Sequence, residues 1–177
     1  MTAACQRCLF QRCLCNEVPT IATRTRVVIV RHHRELHRSS NTGRLAHLAL
    51  PNSVIVEHGT PGVATVMPPL DGAWLLFPEG DGGVPAEPPK QLVVLDATWS
   101  QARRMFRKIA ALRGLPILRL APGPMAASRL REAPAPGMVS TIEAIARALA
   151  QLEGTGDELE ALFQVAVGRA AATGRRL

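Results

Sequence analysis

One segment limits the possible folds of this chain more than any other: an apolar run at 92–95 that leads into polar residues at 96–99. The residues that follow, 100–112, have the spacing of an amphipathic helix. A short apolar run that leads through polar residues into a helix is typical of a buried strand in a parallel sheet. Because open α/β sheets bind ligands at the carboxyl ends of their strands, we expect a functional site at 96–99.

Two side chains of this segment, Asp96 and Trp99, suit a ligand with a cationic centre. The carboxylate supplies a negative charge, and the indole supplies a π-face that attracts cations. The alternative is structural: Asp96 or Thr98 caps the following helix, and Trp99 packs in the core.

The rest of the chain repeats the alternation of strand and helix. Strands are predicted at 26–31, 53–57, 73–77, 91–95 and 116–120. Helices are predicted at 42–50, 100–112, 140–152 and 157–172, with a shorter one at 62–70 that breaks at Pro68. This alternation predicts an α/β fold, a mostly parallel sheet with helices on both faces. The sequence carries no glycine-rich dinucleotide fingerprint and no P-loop, which disfavours a nicotinamide enzyme or a nucleoside triphosphatase.

Charge and composition indicate the kind of partner. The chain has 177 residues and a net charge of +7, and such a basic domain usually binds a polyanion, most often nucleic acid. Aromatic residues are scarce at 3%, which disfavours single-strand binding by base stacking. No apolar stretch is long enough to span a bilayer, and the N-terminus lacks the apolar core of a secretory signal, so we expect a cytoplasmic protein.

The four cysteines of the chain fall at its N-terminus, as Cys5-x-x-Cys8 and Cys13-x-Cys15. A cytoplasmic chain does not normally keep such residues as disulfides. Four thiolates on two tight turns can supply a closed tetrahedral shell for a structural Zn²⁺. An iron–sulfur cluster and free redox thiols are the alternatives.

The predicted helix at 100–112 has two distinct faces. Its apolar stripe consists of Ala102, Met105, Phe106, Ile109 and Leu112. Its other face is basic and consists of Arg103, Arg104, Arg107 and Lys108. Four cations beside the proposed site can hold a phosphate backbone there, and the alternative is a merely solvated face.

Three histidines, His32, His33 and His37, lie just past the first predicted strand, with Glu35 among them. No helix or strand period places the three on one face, which favours RNA contact or loop structure over a metal site.

Together these pieces resemble the DTW-domain family, the tRNA-uridine aminocarboxypropyltransferases. The resemblance rests on the two cysteine turns and on five further segments in the family's order: His32 to Glu35, Asn41-Thr42-Gly43-Arg44-Leu45, Leu76-Phe77-Pro78, Leu95 to Ala102, and Ser140 to Ala144. It covers most of the chain, and the segment around Asp96 is its most specific part. His33 stands where the family usually has Pro, and the stretch Arg129-Leu130-Arg131 is similar to a basic segment of the family.

The resemblance implies an enzyme related to the SPOUT class, with a C-terminal trefoil knot that binds S-adenosylmethionine. Its reaction moves the 3-amino-3-carboxypropyl group of S-adenosylmethionine to N3 of a tRNA uridine and releases methylthioadenosine. The implied organisation is a zinc-binding clip at 1–20 and a catalytic domain at 21–177, in a monomer or a homodimer.

The resemblance also implies where the site residues lie. Asp96 is the expected proton acceptor for uridine N3 or the partner of the donor's positive charge, and burial is expected to raise its pKa. Trp99 is the second expected catalytic residue. The cofactor is expected to contact three loops, at Phe77, Pro78 and Glu79, at Leu95, Asp96, Thr98 and Trp99, and at Ser140 and Thr141. The expected RNA contacts are His32, Arg34 and Arg44, together with Arg103, Arg104, Arg107 and Lys108 of the basic face.

Two other functions stay open at this point. An RNA methyltransferase of the same superfamily would leave S-adenosylhomocysteine as its product. A non-catalytic RNA-binding protein with a zinc clip would not bind S-adenosylmethionine.

Overall fold

The computed structural model describes residues 4–121, 130 and 138–173. Within them, the strands are β1 (Arg26–His32), β2 (Ser53–His58), β3 (Ala73–Leu76), β4 (Gln91–Asp96) and β5 (Ile117–Leu118). The α-helices are α1 (Thr42–Ala49), α2 (Trp99–Lys108), α3 (Thr141–Glu153) and α4 (Asp157–Ala172). Short 3₁₀ helices lie at Cys15–Glu17, His33–Glu35 and Ala110–Leu112.

The strands form one parallel sheet in the order β2-β1-β4-β3-β5. The register pairs Arg31 of β1 with Asp96 of β4, and His32 of β1 with His58 of β2. The carboxyl ends of three neighbouring strands therefore bring ionisable side chains to one edge of the sheet.

Helices cover both faces of the sheet. On one face, α1, α3 and α4 pack on alternate strand residues such as Val27, Ile29 and Val94. On the other face, α2 packs through Ala102 and Met105 on the intervening residues. Strand β4 is buried along its whole length, because both its faces lie under helices, and this explains its continuous apolar run.

The structure confirms the predicted parallel α/β architecture, but one predicted helix is absent. Residues 62–70 begin in a turn and continue as chain without regular secondary structure, because Pro61, Pro68 and Pro69 lack amide donors and restrict the residues before them. Strand β5 is also shorter than the predicted 116–120. Most of the predicted loop at 121–137, with Arg129 and Arg131, lies outside the described residues.

Candidate active site and metal centre

The carboxylate of Asp96 lies at the centre of the carboxyl edge and is 2% exposed. Its Oδ1 accepts a hydrogen bond from the Thr141 hydroxyl at 2.8 Å. Its Oδ2 accepts a short hydrogen bond from the side-chain amide of Asn41. One carboxylate thus joins the end of β4 to the first turns of α1 and α3.

Both helices begin at this carboxylate for local reasons. Asn41 caps α1 because its Oδ1 accepts the Arg44 amide at 2.8 Å, which leaves its amide group to bind Asp96. At the start of α3, Glu143 accepts the backbone N–H of Ser140 at 2.8 Å and so helps to cap the helix. The positive ends of two helix dipoles therefore face Asp96 and favour its charged form.

Gly43 lets α1 approach the carboxylate. A Cβ at this position would lie 2.5 Å from the Asp96 Cγ, closer than any packed side chain tolerates. Glycine is thus required at this position because the carboxylate leaves no room for a side chain, and not because of a special backbone conformation.

Burial raises the pKa of Asp96, and the hydrogen bonds from Asn41 and Thr141 oppose that rise. The direction agrees with the expectation for this residue. Within the described structure the carboxylate is enclosed, so a substrate could reach it only after a local movement of the groups around it.

A second buried charge, Arg31, is the strand neighbour of Asp96 in the sheet and is 5% exposed. Its Nε donates to Glu57 Oε1 at 3.0 Å. Neither the place of Arg31 beside Asp96 nor the contact of Asn41 with Asp96 was predicted from the sequence. The alternation of β1 places Arg31 on the same face as the core residues Val27 and Ile29, but the pairing of β1 with β4 could not be predicted from the sequence.

The start of α2 agrees with the alternative in which Thr98 caps the helix. Thr98 caps the helix: its hydroxyl accepts the Gln101 amide at 3.4 Å, and Gln101 Oε1 accepts the Thr98 N–H at 2.9 Å. Trp99 is the first residue of α2 and is half-buried, so part of its indole faces solvent at the carboxyl edge.

The loop after β3 is split between core and surface. The Phe77 ring is buried and stacks on Phe106 of α2 with ring centroids 4.7 Å apart, so only its backbone can face a ligand at this edge. Pro78 and Glu79 are exposed, and Glu79 Oε1 accepts from Arg103 Nε at 2.6 Å. Leu95, in contrast, is 9% exposed and belongs to the core under α2.

The predicted RNA contacts do not share one environment. Arg103, Arg104, Arg107 and Lys108 are all exposed on α2, which confirms the two-faced helix, although Arg103 is paired with Glu79. Arg34 is exposed, whereas Arg44 is half-buried and donates to the Leu36 carbonyl at 2.6 Å. His32 lies at the end of β1, half-buried against other histidines.

The four cysteines converge as the sequence predicts. The Sγ atoms of Cys5, Cys8, Cys13 and Cys15 all lie within 4.8 Å of one another. The Cys5–Cys15 and Cys8–Cys13 sulfur distances are 3.8 and 3.9 Å, too long for disulfides. A tetrahedron with Zn–S bonds of about 2.3 Å has edges of about 3.8 Å, so this cluster has the dimensions of a tetrathiolate metal site.

Local groups favour thiolates at part of this cluster. Backbone N–H groups of Cys8 and Arg7 lower the pKa of Cys5 to about 6. Burial raises the pKa of Cys15, an effect that a bound cation would reverse.

The cysteine segment is not an isolated appendage. Cys8, Phe10 and Leu14 are buried in the same core as α3 and α4. Arg169 of α4 donates to the Cys13 carbonyl at 2.8 Å and pairs with Glu17. Loss of the cluster is therefore expected to disturb α4 as well.

The fold and site define a parallel α/β protein with a charged carboxyl edge and a four-cysteine cluster. The DTW domain matches residues 2–171, and the chain belongs to the DTW domain family. It is similar to "tRNA-uridine aminocarboxypropyltransferase 2" of Drosophila melanogaster, with 31% identity over 80% of this chain and 62% of that protein. It is also similar to "tRNA-uridine aminocarboxypropyltransferase A" of Arabidopsis thaliana, with 27% identity over 84% of this chain and 71% of that protein. No solved structure matches the chain significantly.

Among the described residues, no helix combines the length and apolar character needed to cross a membrane.

Proposed function

We propose that this protein is a tRNA-uridine aminocarboxypropyltransferase. It transfers the 3-amino-3-carboxypropyl group of S-adenosylmethionine to N3 of a tRNA uridine and releases methylthioadenosine. The observation that carries the proposal is membership of the DTW domain family over residues 2–171, together with the names of the two relatives. The chain spans 62% of the length of the Drosophila relative, so its activity rests on the shared domain.

The donor site that we propose lies at the carboxyl edge. The loops after β3 and β4 are neighbours because their strands pair, and the Asp96–Thr141 hydrogen bond holds the start of α3 against them. Backbone groups at Phe77 and side chains at Thr98 and Thr141 offer donors and acceptors for an adenosine and an amino acid moiety. These loops form the cradle of the C-terminal knot in the SPOUT architecture that we propose for this chain.

The regiochemistry follows from positioning. A sulfonium activates all three attached carbons, so the site must expose the carbon of the aminocarboxypropyl chain next to sulfur and shield the methyl group. The half-buried Trp99 is our proposed π-face for the sulfonium. Transfer then breaks the bond between this carbon and sulfur and forms a bond between the same carbon and N3 of the uridine.

The acceptor must lose its N3 proton, and Asp96 is the proposed acceptor of that proton. Its raised pKa makes it a stronger base than an ordinary Asp. Because the carboxylate is 2% exposed and the Thr141 hydroxyl binds its Oδ1, we propose that this hydroxyl turns away to let the uridine reach Asp96. If it does not, Asp96 instead holds α1 and α3 in place and acts as a positioning residue.

Three further proposals complete the account. The four-cysteine cluster binds a structural Zn²⁺, since a closed shell of four thiolates leaves no position for substrate. The basic face of α2 binds tRNA phosphates beside the donor site. The protein works in the cytoplasm as a monomer or a homodimer.

Analysis of the donor product tests the proposal. The protein is incubated with tRNA and S-adenosylmethionine, and the nucleosides released from the donor are separated and quantified. Methylthioadenosine in a tRNA-dependent amount supports the proposal. S-adenosylhomocysteine would make the protein a methyltransferase, and failure to bind S-adenosylmethionine would make it a non-catalytic RNA-binding protein.

A further inference from the structure

Three imidazoles meet where β1 and β2 end, and of these only His32 was expected to contact RNA. His32 and His58 are register partners, with ring centroids 6.4 Å apart in an edge-on arrangement. The rings of His32 and His33 are 4.7 Å apart and tilted by 34°. We call His32, His33 and His58 the histidine cluster.

A glycine turn borders the cluster. Gly59 has a positive φ of 85°, which allows the chain to turn directly after β2. A Cβ on Gly59 would lie 3.4 Å from His33 Cδ2 and 3.5 Å from His32 Nε2, so the turn lies against both rings.

Hydrogen bonds occupy the Nδ1 atoms of two of the rings. The Nδ1 of His32 accepts the backbone N–H of Arg34 at 3.2 Å, which places the proton of the neutral ring on Nε2. The Nδ1 of His58 lies 2.7 Å from the Thr65 hydroxyl. Within the described residues, no hydrogen bond involves the Nε2 of either ring, so both atoms remain for a ligand.

The surroundings of the cluster are mostly cationic. Burial lowers the pKa of His58, and the charges of Lys108 and His33 lower it further. Burial, His33, His58 and Arg34 lower the pKa of His32, and Glu35 alone opposes them. Lys108 is the last residue of the basic face of α2, and its charge acts on His58, so the end of that face lies near the cluster.

A metal ion is not the ligand that this geometry fits. Within the described chain, the four cysteines are the one group whose metal-ligating atoms converge on a common point. The Nε2–H donor of His32, which lies beside cationic side chains, is instead suited to the oxygens of a phosphate, and a protonated His58 adds a second N–H donor.

We propose that the histidine cluster binds a backbone phosphate of tRNA and extends the basic face of α2 across the ends of β1 and β2. The proposal rests on the tRNA substrate proposed above. His58 is the new residue in this surface, and it lies outside every segment that resembles the family.

The proposal has a pH signature. A bound phosphate favours the protonated form of His58 and raises its pKa in the complex. Binding then takes up at most about one proton at this ring, and tRNA affinity rises as the pH falls through the pKa of His58 in the complex. His32 contributes a neutral donor, because protonation would break its bond to the Arg34 amide.

The test compares His58→Gln with His37→Gln, an exposed histidine of the neighbouring loop, as the matched control. The glutamine that replaces His58 can still bond Thr65 but cannot gain a charge. tRNA dissociation constants are measured at about pH 5.5 and about pH 8. We expect the wild type and His37→Gln to bind more tightly at the lower pH, and His58→Gln to lose about tenfold there with little change at the higher pH.

The proposal would be overturned if His58→Gln bound tRNA as tightly as the wild type at both pH values, or if His37→Gln lost as much tRNA affinity as His58→Gln. If His58→Gln does not fold, His58→Asn provides the same comparison, because its amide also carries hydrogen-bonding groups without a titratable ring. Methylthioadenosine release by the wild type is measured in parallel. If methylthioadenosine is released but tRNA binding does not depend on the histidine cluster, only this inference is refuted. If tRNA binding depends on the cluster but no methylthioadenosine is released, only the proposed reaction is refuted.

Discussion

The Thr141 hydroxyl donates to Asp96 Oδ1 at 2.8 Å and links the first turn of α3 to the end of β4. Because Asn41 binds the other oxygen, this one carboxylate positions both helices that border the proposed donor site. The proposed reaction can therefore depend on Asp96 in two ways, as a proton acceptor or as a tie between elements.

Removing the Thr141 donor separates these roles through pH. The hydrogen bond from Thr141 acts to lower the pKa of Asp96, so Thr141→Val should raise that pKa further. A proton acceptor must be ionised, so activity falls as the pH falls through its pKa. The acid limb of the pH–rate profile should then move to higher pH in Thr141→Val. An unmoved limb with uniformly lower activity would assign Asp96 to positioning alone.

Gly43→Ala tests the close approach of α1. An added Cβ would meet the Asp96 Cγ at 2.5 Å, and this buried carboxylate cannot shift freely. We expect a loss of about 1–3 kcal/mol in the free energy of unfolding, together with most of the activity. Gly168→Ala in α4 is the matched control, since its Cβ meets nothing within 4 Å. That control should gain up to about 1 kcal/mol from helix propensity. Equal stability of the two variants would refute the contact.

Metal analysis tests the cysteine cluster. Purified, reduced protein should contain about one Zn²⁺ per chain. Cys8→Ser should release the ion and lower the melting temperature of the whole chain, because Cys8 is 1% exposed in the core shared with α4. A chelator should reproduce the loss in the wild type. Wild-type protein free of metal, with unchanged melting after chelation, would contradict the assignment.

Charge reversal tests the basic face of α2. Arg104 and Arg107 are the best targets, because Arg103 is already paired with Glu79. Arg104→Glu and Arg107→Glu should each weaken tRNA binding and reduce the salt slope by about one, with S-adenosylmethionine affinity unchanged. Lys90→Glu, at an exposed position directly before the amino end of β4, is the control and should leave the slope intact. A salt slope that none of the variants changes would show a merely solvated face.

The sequence predicted the elements better than their contacts. Strand β4 and helix α2 were predicted correctly because the apolar run at 92–95 and the apolar stripe of the helix are patterns of residues close together in the sequence. The cysteine spacing likewise predicted the convergence of four sulfurs. The helix predicted at 62–70 was wrong, because prolines in and next to the segment disfavour a helix more than its weak apolar periodicity favours one.

Long-range contacts could not be predicted from local patterns. Asn41 carries a helix-cap signal, but its second bond crosses 55 residues to Asp96. The strand order that pairs β1 with both β2 and β4 brings His58 to His32, and no spacing in the sequence records that order. The sequence did not show that the Phe77 ring fills the core, where apolar burial under α2 favours its stack on Phe106. The cofactor contact expected of this loop therefore stays a prediction for the Phe77 backbone.

Mass spectrometry of nucleosides from tRNA, with the wild type and Asp96→Asn side by side, tests the central claim most directly. The asparagine that replaces Asp96 could still accept the Asn41 amide and donate to the Thr141 hydroxyl, so the fold should survive while the charge is lost. The wild type should form aminocarboxypropyl-uridine, and Asp96→Asn should form it at least about 100-fold more slowly at an unchanged melting temperature. Methyluridine from the wild type, or a near wild-type rate from Asp96→Asn, would contradict the account.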